Sequence, residues 1–206
     1  MDVTIVIPTI RANPDLLSDC LEAVADTAPD AEVLVMDHGT FSENCNRGAS
    51  QAQGDWLLFL NDDCLPQPGW YDAMLDAGYQ YSGIVGARLL YPDGQIQHSG
   101  IVFDADPPIL TPRNRTWDVP SGHVEAVTGA CLLIDMDIWQ ELGGFDEGYR
   151  NGAEDVDFCL RALVAGYRPW YCAEATVIHY ESASGELRWR WVRENIERFN
   201  ATYSVS

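Results

Sequence analysis

The sequence predicts an α/β protein built on a mostly parallel sheet flanked by helices. Two observations carry this. Apolar, β-branched runs alternate with stretches of helical period through the first third of the chain, and each early strand candidate ends on polar or acidic residues: Thr9, Asp37, and Asn61 to Asp63. Strand–helix–strand repetition gives parallel neighbours joined by crossover helices, and such sheets bind ligands off the carboxyl ends of their strands.

Taken in order, VTIVI (3–7) is a strand stopped by Pro8, and NPDLLSDCLEAVA (13–25) spaces apolar residues helically behind an Asn-Pro start. EVLVMD (32–37) is a second strand ending on an acid, ENCNRGASQAQ (43–53) is compatible with a helix, and DWLLFL (55–60) is a third strand. A helix near 69–80 follows. GIVGARLLY and IQHSGIVF read as strands around the turn PDG (92–94), and 104–122 reads as a Pro- and Asp-rich loop. EAVTGACLLID (125–135) is expected as a strand and MDIWQELGG as a short helix with glycine stops. GAEDVDFCLRALVAGY (152–167) is expected as a helix with acids in its first turns, and a strand near 175–178 leads into His179. GELRWRWVRENIERF (185–199) reads as a terminal amphipathic helix. Its RWRW could touch a membrane surface or a partner, although three Glu residues on the same helix favour simple packing. No repeat, low-complexity tract or linker divides residues 1–206, so a single domain is expected.

Composition bounds the function classes. With 47% hydrophobic and 21% charged residues the chain is globular, and its short apolar runs are far below the ~20 residues that span a bilayer. No basic segment with an apolar core opens it, so nothing predicts export. The six cysteines form no CxxC pair and are expected as buried free thiols in a reducing compartment. Every one of the 12 basic residues is Arg, and against 32 acids they leave a net charge of −20. Such a surface repels nucleic-acid phosphates and anionic lipid. It fits a protein working in high salt, or in part a GC-rich genome, which explains absent Lys but not the acid excess.

Several residues carry candidate chemistry. Asn61, Asp62 and Asp63 end a strand; alone they read first as a turn whose side chains satisfy local amides, but paired carboxylates also suit Mg²⁺ or Mn²⁺ with substrate phosphates. Glu154 and Asp155 open a helix, where acids cap free amides and where a carboxylate in a cleft acts as general base. Asp157 stands four residues before Arg161 and suits an ion pair. His179 is a hydrogen-bonded structural residue or, beside carboxylates, a ligand for Mn²⁺. A phosphate loop of the GxxxxGK[ST] type is impossible without Lys, and neither a GxSxG elbow nor an HExxH helix occurs.

These pieces, in this order, resemble the family-two glycosyltransferases of the GT-A fold, the broad group that includes rhamnosyl- and galactofuranosyl-transferases. The similarity covers nearly the whole chain. It rests on VTIVIPT, GDWLLFLNDDCLPQPGW, GARLLYPDGQIQHSGIVF and, most specifically, VTGACLLIDMDIWQELGGFDEGYRNGAEDVDFCLRALVAGYRPWYCAEATVIHYESAS. The resemblance implies a GT-A (Rossmann-like) sheet with a nucleotide-binding half at 1–65, an acceptor and catalytic half at 66–184, and the amphipathic helix at 185–206. It implies an inverting transfer, dependent on Mn²⁺ or Mg²⁺, from a UDP-, GDP- or dTDP-activated sugar to a hydroxyl of a glycan, lipid-linked or protein-linked acceptor. A cytoplasmic location is expected, with room for contact at the inner face of the membrane.

Residue by residue, the resemblance makes NDD a form of the DxD motif. Asp63 is then on the metal, Asp62 beside the donor ribose or the metal's water shell, and His179 a further metal or diphosphate ligand. Asp155 matches the base that deprotonates the acceptor, with Glu154 supporting it or binding acceptor. Pro8, Thr9 and Asp37 match nucleoside-holding positions, and Thr128 and Gly129 match the segment beneath donor and acceptor. The stretch between Asp37 and Asp62 is shorter than the family's usual run, so Asn46 and Arg47 are expected to stand in as nucleotide contacts. Gly185 also stands where many relatives place Arg. The shortening admits a second reading, a non-catalytic nucleotide-sugar-binding module, and a sugar-nucleotide pyrophosphorylase stands further off because its basic phosphate loop is absent.

Overall fold

The computed structural model describes residues 2–106, 109–181 and 191–203. The first half follows the predicted alternation: β1 (Val3–Pro8), α1 (Pro14–Thr27), β2 (Glu32–Met36), α2 (Phe41–Gln51) and β3 (Trp56–Leu60). Helix starts are chemically specified. Asn13 accepts the Leu16 amide at the head of α1, while Thr40 and Glu43 form a reciprocal capping box that starts α2 two residues earlier than its period suggests. α2 lies close on β1 at Gly48, where a Cβ would collide with Val6.

The chain continues through β4 (Cys64–Pro66), α3 (Trp70–Gln80), β5 (Ile84–Leu90), β6 (Ile96–His98), β7 (Ile101–Asp106), β8 (Ile109–Asn114), β9 (Gly122–His123), β10 (Cys131–Asp135), α4 (Met136–Leu142), α5 (Glu154–Ala165), β11 (Trp170–His179) and α6 (Val192–Tyr203). Its main sheet runs β2-β1-β3-β10-β5-β11-β4, with β6 beside β5 and β9 beside β11. β1 pairs parallel with β2 and β3, β10 runs antiparallel between β3 and β5, and β5 and β11 are parallel. The carboxyl ends of β1, β2, β3, β5 and β11 therefore share one edge with the amino end of β10. From β1 the chain passes to β2 on one side and returns to β3 on the other, so the strand order reverses at β1/β3, where an α/β sheet opens its ligand crevice.

Burial on both faces explains the unbroken apolar runs. On β3, Leu57 and Phe59 join one core with Trp139, Phe145 and Phe158, whereas Trp56, Leu58 and Leu60 join the other with Trp70 and Met74. All six cysteines are free and buried. Among the described residues no helix is long and apolar enough to cross a membrane.

The second half departs from expectation in several places. IQHSGIVF is two strands, because Gly100 takes a left-handed turn (φ 97°) between β6 and β7. The expected loop at 104–122 contains β8, which forms a separate two-stranded ribbon with β7; each strand there has a free edge, which tolerates Pro112. Only Cys131–Asp135 of 125–135 is strand, since Thr128 to Ala130 turn into the crevice, and β11 begins at Trp170 rather than near 175. Of the terminal helix, Val192–Tyr203 is described, and the RWRW expectation together with Gly185 lies largely outside the described residues.

Candidate active site

A cleft of ≈ 260 Å³ opens along that shared edge. The strand order explains its contents. Thr9 follows β1 and Asp62 follows β3, so the Thr9 hydroxyl, donating to Asp62 Oδ2, bridges the point where the strand order reverses. The same Thr9 oxygen accepts the Arg11 amide at 2.8 Å. Burial raises the Asp62 carboxyl above its usual range and the Thr9 bond opposes that rise. Asn61 is anchored through its amide to Ala130 O (2.9 Å), so the turn before β10 is stitched to the end of β3.

Asp63 and His179 face each other because β4 pairs antiparallel with β11, opposing Cys64 to His179. His179 Nε2 is 3.1 Å from Asp63 Oδ1 and 3.3 Å from Asn61 Nδ2. A hard divalent ion takes oxygen and imidazole ligands at about 2.1 Å in octahedral geometry, which puts neighbouring ligand atoms about 3 Å apart. The Asp63–His179 separation fits such an ion, and Asp62 is the adjacent carboxylate. Cys64 Sγ lies in the same cluster but does not suit a hard cation; it contacts Ala130 O at 3.5 Å, and burial drives its thiol well above the ordinary range.

A second part of the lining belongs to the start of α5. Asp155 accepts the Gly129 amide at 2.8 Å through Oδ2 and the Val156 amide at 2.8 Å through Oδ1, which fixes the plane of its carboxylate. Gly129 is confined there, since a Cβ would sit 3.1 Å from the Phe41 ring. Glu154 is buried and accepts the Gly152 amide at 2.6 Å. Burial first, and then mutual repulsion, push the Glu154 carboxyl upward; burial also raises Asp155. Both carboxyls are therefore harder to ionise than ordinary ones.

The backbone around the cleft is unusual. All five described non-glycine residues with positive φ lie at its borders: Arg11, His38 and Glu181 just past β1, β2 and β11, and Asn151 and Ala153 before α5. Asn195 of α6 holds the last of these loops. Its Nδ2 donates to Arg150 O (3.0 Å) and Gly152 O (2.9 Å), and its Oδ1 accepts the Arg150 amide (3.1 Å).

Of the expected site residues, Pro8, Thr9, Asp62, Asp63, Thr128, Gly129, Glu154, Asp155 and His179 line the one cleft. Asp37 and Arg47 sit beyond its lining: Arg11 Nε donates to Asp37 Oδ2 at 2.8 Å and holds that carboxyl below its usual range, while Arg47 donates to Asp37 O and to Asn44 Oδ1. Asn46 does not reach the cleft. It is engaged on the far side of α2, bonding Phe145 through N and O and accompanied by Glu147, so the stand-in role expected for it corrects to a structural one. Asn44, two positions earlier on the same helix, lines the cleft instead.

Sequence reasoning missed Gln97, His98 and Phe41, all of which line the cleft. The signal was present in IQHSG, where three consecutive polar residues interrupt an apolar strand pattern; all three are buried.

A mixed sheet with this order, gathering acids at its strand ends, is a GT-A glycosyltransferase fold. The crystal structure of GalNAc-T7 with UDP, GalNAc and Mn²⁺ shares it with a TM-score of 0.73 over 98% of this chain and 50% of that one; at 14% identity the likeness is one of fold. The family model "Glycosyltransferase like family 2" matches residues 18–204, and the chain belongs to that family. Relatives include the O-antigen biosynthesis protein RfbC of Myxococcus xanthus, 36% identical over 68% of this chain and 12% of its own length. The Escherichia coli K12 rhamnosyltransferase WbbL is 37% identical over 63% of this chain and 53% of its own. An N-acetylglucosaminyl-diphospho-decaprenol L-rhamnosyltransferase of Mycobacterium tuberculosis is 29% identical over 63% and 48%. The chain thus spans from about an eighth to about half the length of these relatives.

Proposed function

We propose that this domain transfers a sugar, with inversion, from a nucleoside-diphosphate sugar to an acceptor hydroxyl, using a divalent cation. The observation that carries the reading is that Asp62, Asp63 and His179 line the same cleft as Glu154 and Asp155. Asp63 and His179 would hold Mn²⁺ or Mg²⁺, and such an ion supplies neutralisation of the charge that develops on a departing diphosphate. Asp62, fixed by Thr9, faces the donor ribose. Arg11 and Arg47, which grip Asp37 at the rim, are the cations nearest to a nucleotide there.

Asp155 removes the acceptor proton. Its oxygens accept the Gly129 and Val156 amides and a hydrogen bond from Thr128, and a carboxylate has a further lone-pair site for the incoming hydroxyl. Glu154 props the loop through Gly152 and holds the proton of the pair, which leaves Asp155 free to act as base. The acceptor oxygen, losing its proton to Asp155, bonds to the sugar carbon from the face opposite the departing nucleoside diphosphate, so no enzyme nucleophile is needed. The relatives named for rhamnose transfer make rhamnose one of the first sugars to try on the donor, and a lipid-linked acceptor would bring the domain to the membrane face.

The test is hydrolysis and transfer across a panel of UDP-, GDP- and dTDP-sugars with Mn²⁺ or Mg²⁺, reading the anomeric configuration of the product by NMR. Inverted product with at least one donor supports the reading. Binding without turnover across the panel favours a non-catalytic sugar-nucleotide module.

A further inference from the structure

We infer that Gln97 is a positioning residue that fixes the tautomer of His179, leaving Nε2 unprotonated and aimed at Asp63. The inference rests on the metal reading above for its purpose, but its geometry stands independently.

β6 exists as a three-residue strand after the Tyr91–Gln95 turn, and its pairing with β5 is irregular: Leu89 opposes His98 while the next residue, Leu90, opposes Ile96. Gln97 is the extra residue of that bulge. Bulges near active sites re-aim a side chain that a regular ladder would turn elsewhere. Here Gln97 is buried against His179.

The amide grips His179 at two points. Its Nε2 lies 3.2 Å from His179 O, and its Oε1 lies 2.6 Å from His179 Nδ1. A backbone carbonyl only accepts, so the amide nitrogen must face it; flipping the amide would set two oxygens against each other. That orientation leaves Oε1 against Nδ1, and a carbonyl oxygen at that distance requires a proton on the ring nitrogen. In the neutral ring Nδ1 is therefore the protonated nitrogen, and Nε2 carries the lone pair. The Asn61 amide agrees, since its Nδ2 lies 3.3 Å from Nε2 and donates to it. An Nε2 lone pair 3.1 Å from a carboxylate oxygen is an electrostatically poor contact by itself and a favourable one around a cation.

The inference is tested on the full chain at pH 8 by long-range proton–nitrogen NMR of ¹⁵N-labelled protein without metal. The expected spectrum shows His179 as the neutral tautomer with its proton on Nδ1. A proton on Nε2, or on both nitrogens, would overturn the assignment whatever the enzyme does. Two variants extend it, with Mn²⁺ alone as the probe and free ion counted by electron paramagnetic resonance. Gln97→Met removes both contacts and should weaken Mn²⁺ binding about 10- to 100-fold. Gln97→Glu keeps the acceptor for Nδ1–H but sets an oxygen against His179 O, so it should bind Mn²⁺ more tightly than Gln97→Met. Equal Kd for wild type and Gln97→Met contradicts the positioning role. Failure of wild type to bind Mn²⁺ at all sinks the metal reading instead, and the tautomer spectrum still decides the Gln97 assignment.

Discussion

The two walls of the cleft are built differently. Asp62, Asp63 and His179 stand at the ends of β3 and β11, deep in a sheet buried on both faces, and their positions follow from strand pairing. Glu154 and Asp155 stand behind a loop in left-handed backbone, Asn151 to Ala153, which has no sheet partner and is held by Asn195 from α6. Side chains on a sheet edge are rigid by construction, whereas a strained loop keeps its shape only through contacts made elsewhere. The cation wall should therefore tolerate distant changes that the base wall does not.

The largest separation expected is between Asp63→Ala and Asp155→Asn. The first should abolish Mn²⁺-dependent donor binding. The second should leave donor Kd unchanged within about twofold while lowering turnover by about 10²- to 10⁴-fold, measured by calorimetry and by product release. If both variants lose donor binding equally, the division of labour between the walls is wrong.

Next comes Asn195→Ala, outside the cleft's lining. Losing bonds to the backbone at Arg150 and Gly152 should cost about 2–3 kcal/mol in urea unfolding and lower kcat more than it weakens Mn²⁺ binding. A lowered Mn²⁺ affinity of the same size would show that the walls are not independent.

The pH dependence sharpens the comparison further. Because burial raises both members of the Glu154–Asp155 pair, activity should climb with pH along a limb whose midpoint lies above the ordinary carboxylate range of about 4, and Glu154→Gln should shift that limb downward. His98, buried at the cleft's edge, is pushed down to about 4, chiefly by burial. Its native pKa is below the unfolded value of about 6.5, so the unfolded chain binds the proton first, and stability should fall as pH drops from about 6.5 toward 4. The loss is on the order of 3 kcal/mol, read as the difference in pH profile between wild type and His98→Gln. The smallest effect is Arg193→Ala on the exposed face of α6, where the pair with Glu197 is worth about 0.3–0.5 kcal/mol in thermal unfolding.

The same contrast explains what could be read from the sequence. Strand ends are legible because an apolar run that stops at an acid marks both the strand and the edge on which its side chain emerges; Thr9, Asp62, Asp63 and His179 were found that way or by resemblance. The ED pair was visible as a helix start, but the loop that presents it was not, because αL backbone at Asn151 and Ala153 carries no residue signature as strong as glycine's. Asn46 misled because helical spacing alone did not say which face of α2 meets the cleft; Asn44 does, and Asn46 braces Phe145. Gln97 was hidden by a bulge, which breaks the period on which strand reading depends. The β7–β8 ribbon escaped because it stands apart from the main sheet, and prolines and acids within it resemble a loop.

The proposal that one cleft holds a donor through a cation at Asp63 and His179 links donor binding to the metal. Calorimetric titration of the nucleotide-sugar panel into wild type and Asp63→Ala, each with Mn²⁺ and with chelator, tests it most directly. The account predicts at least one donor that binds wild type only when Mn²⁺ is present and does not bind Asp63→Ala in either condition. Donor binding that survives both chelation and Asp63→Ala unchanged would contradict it.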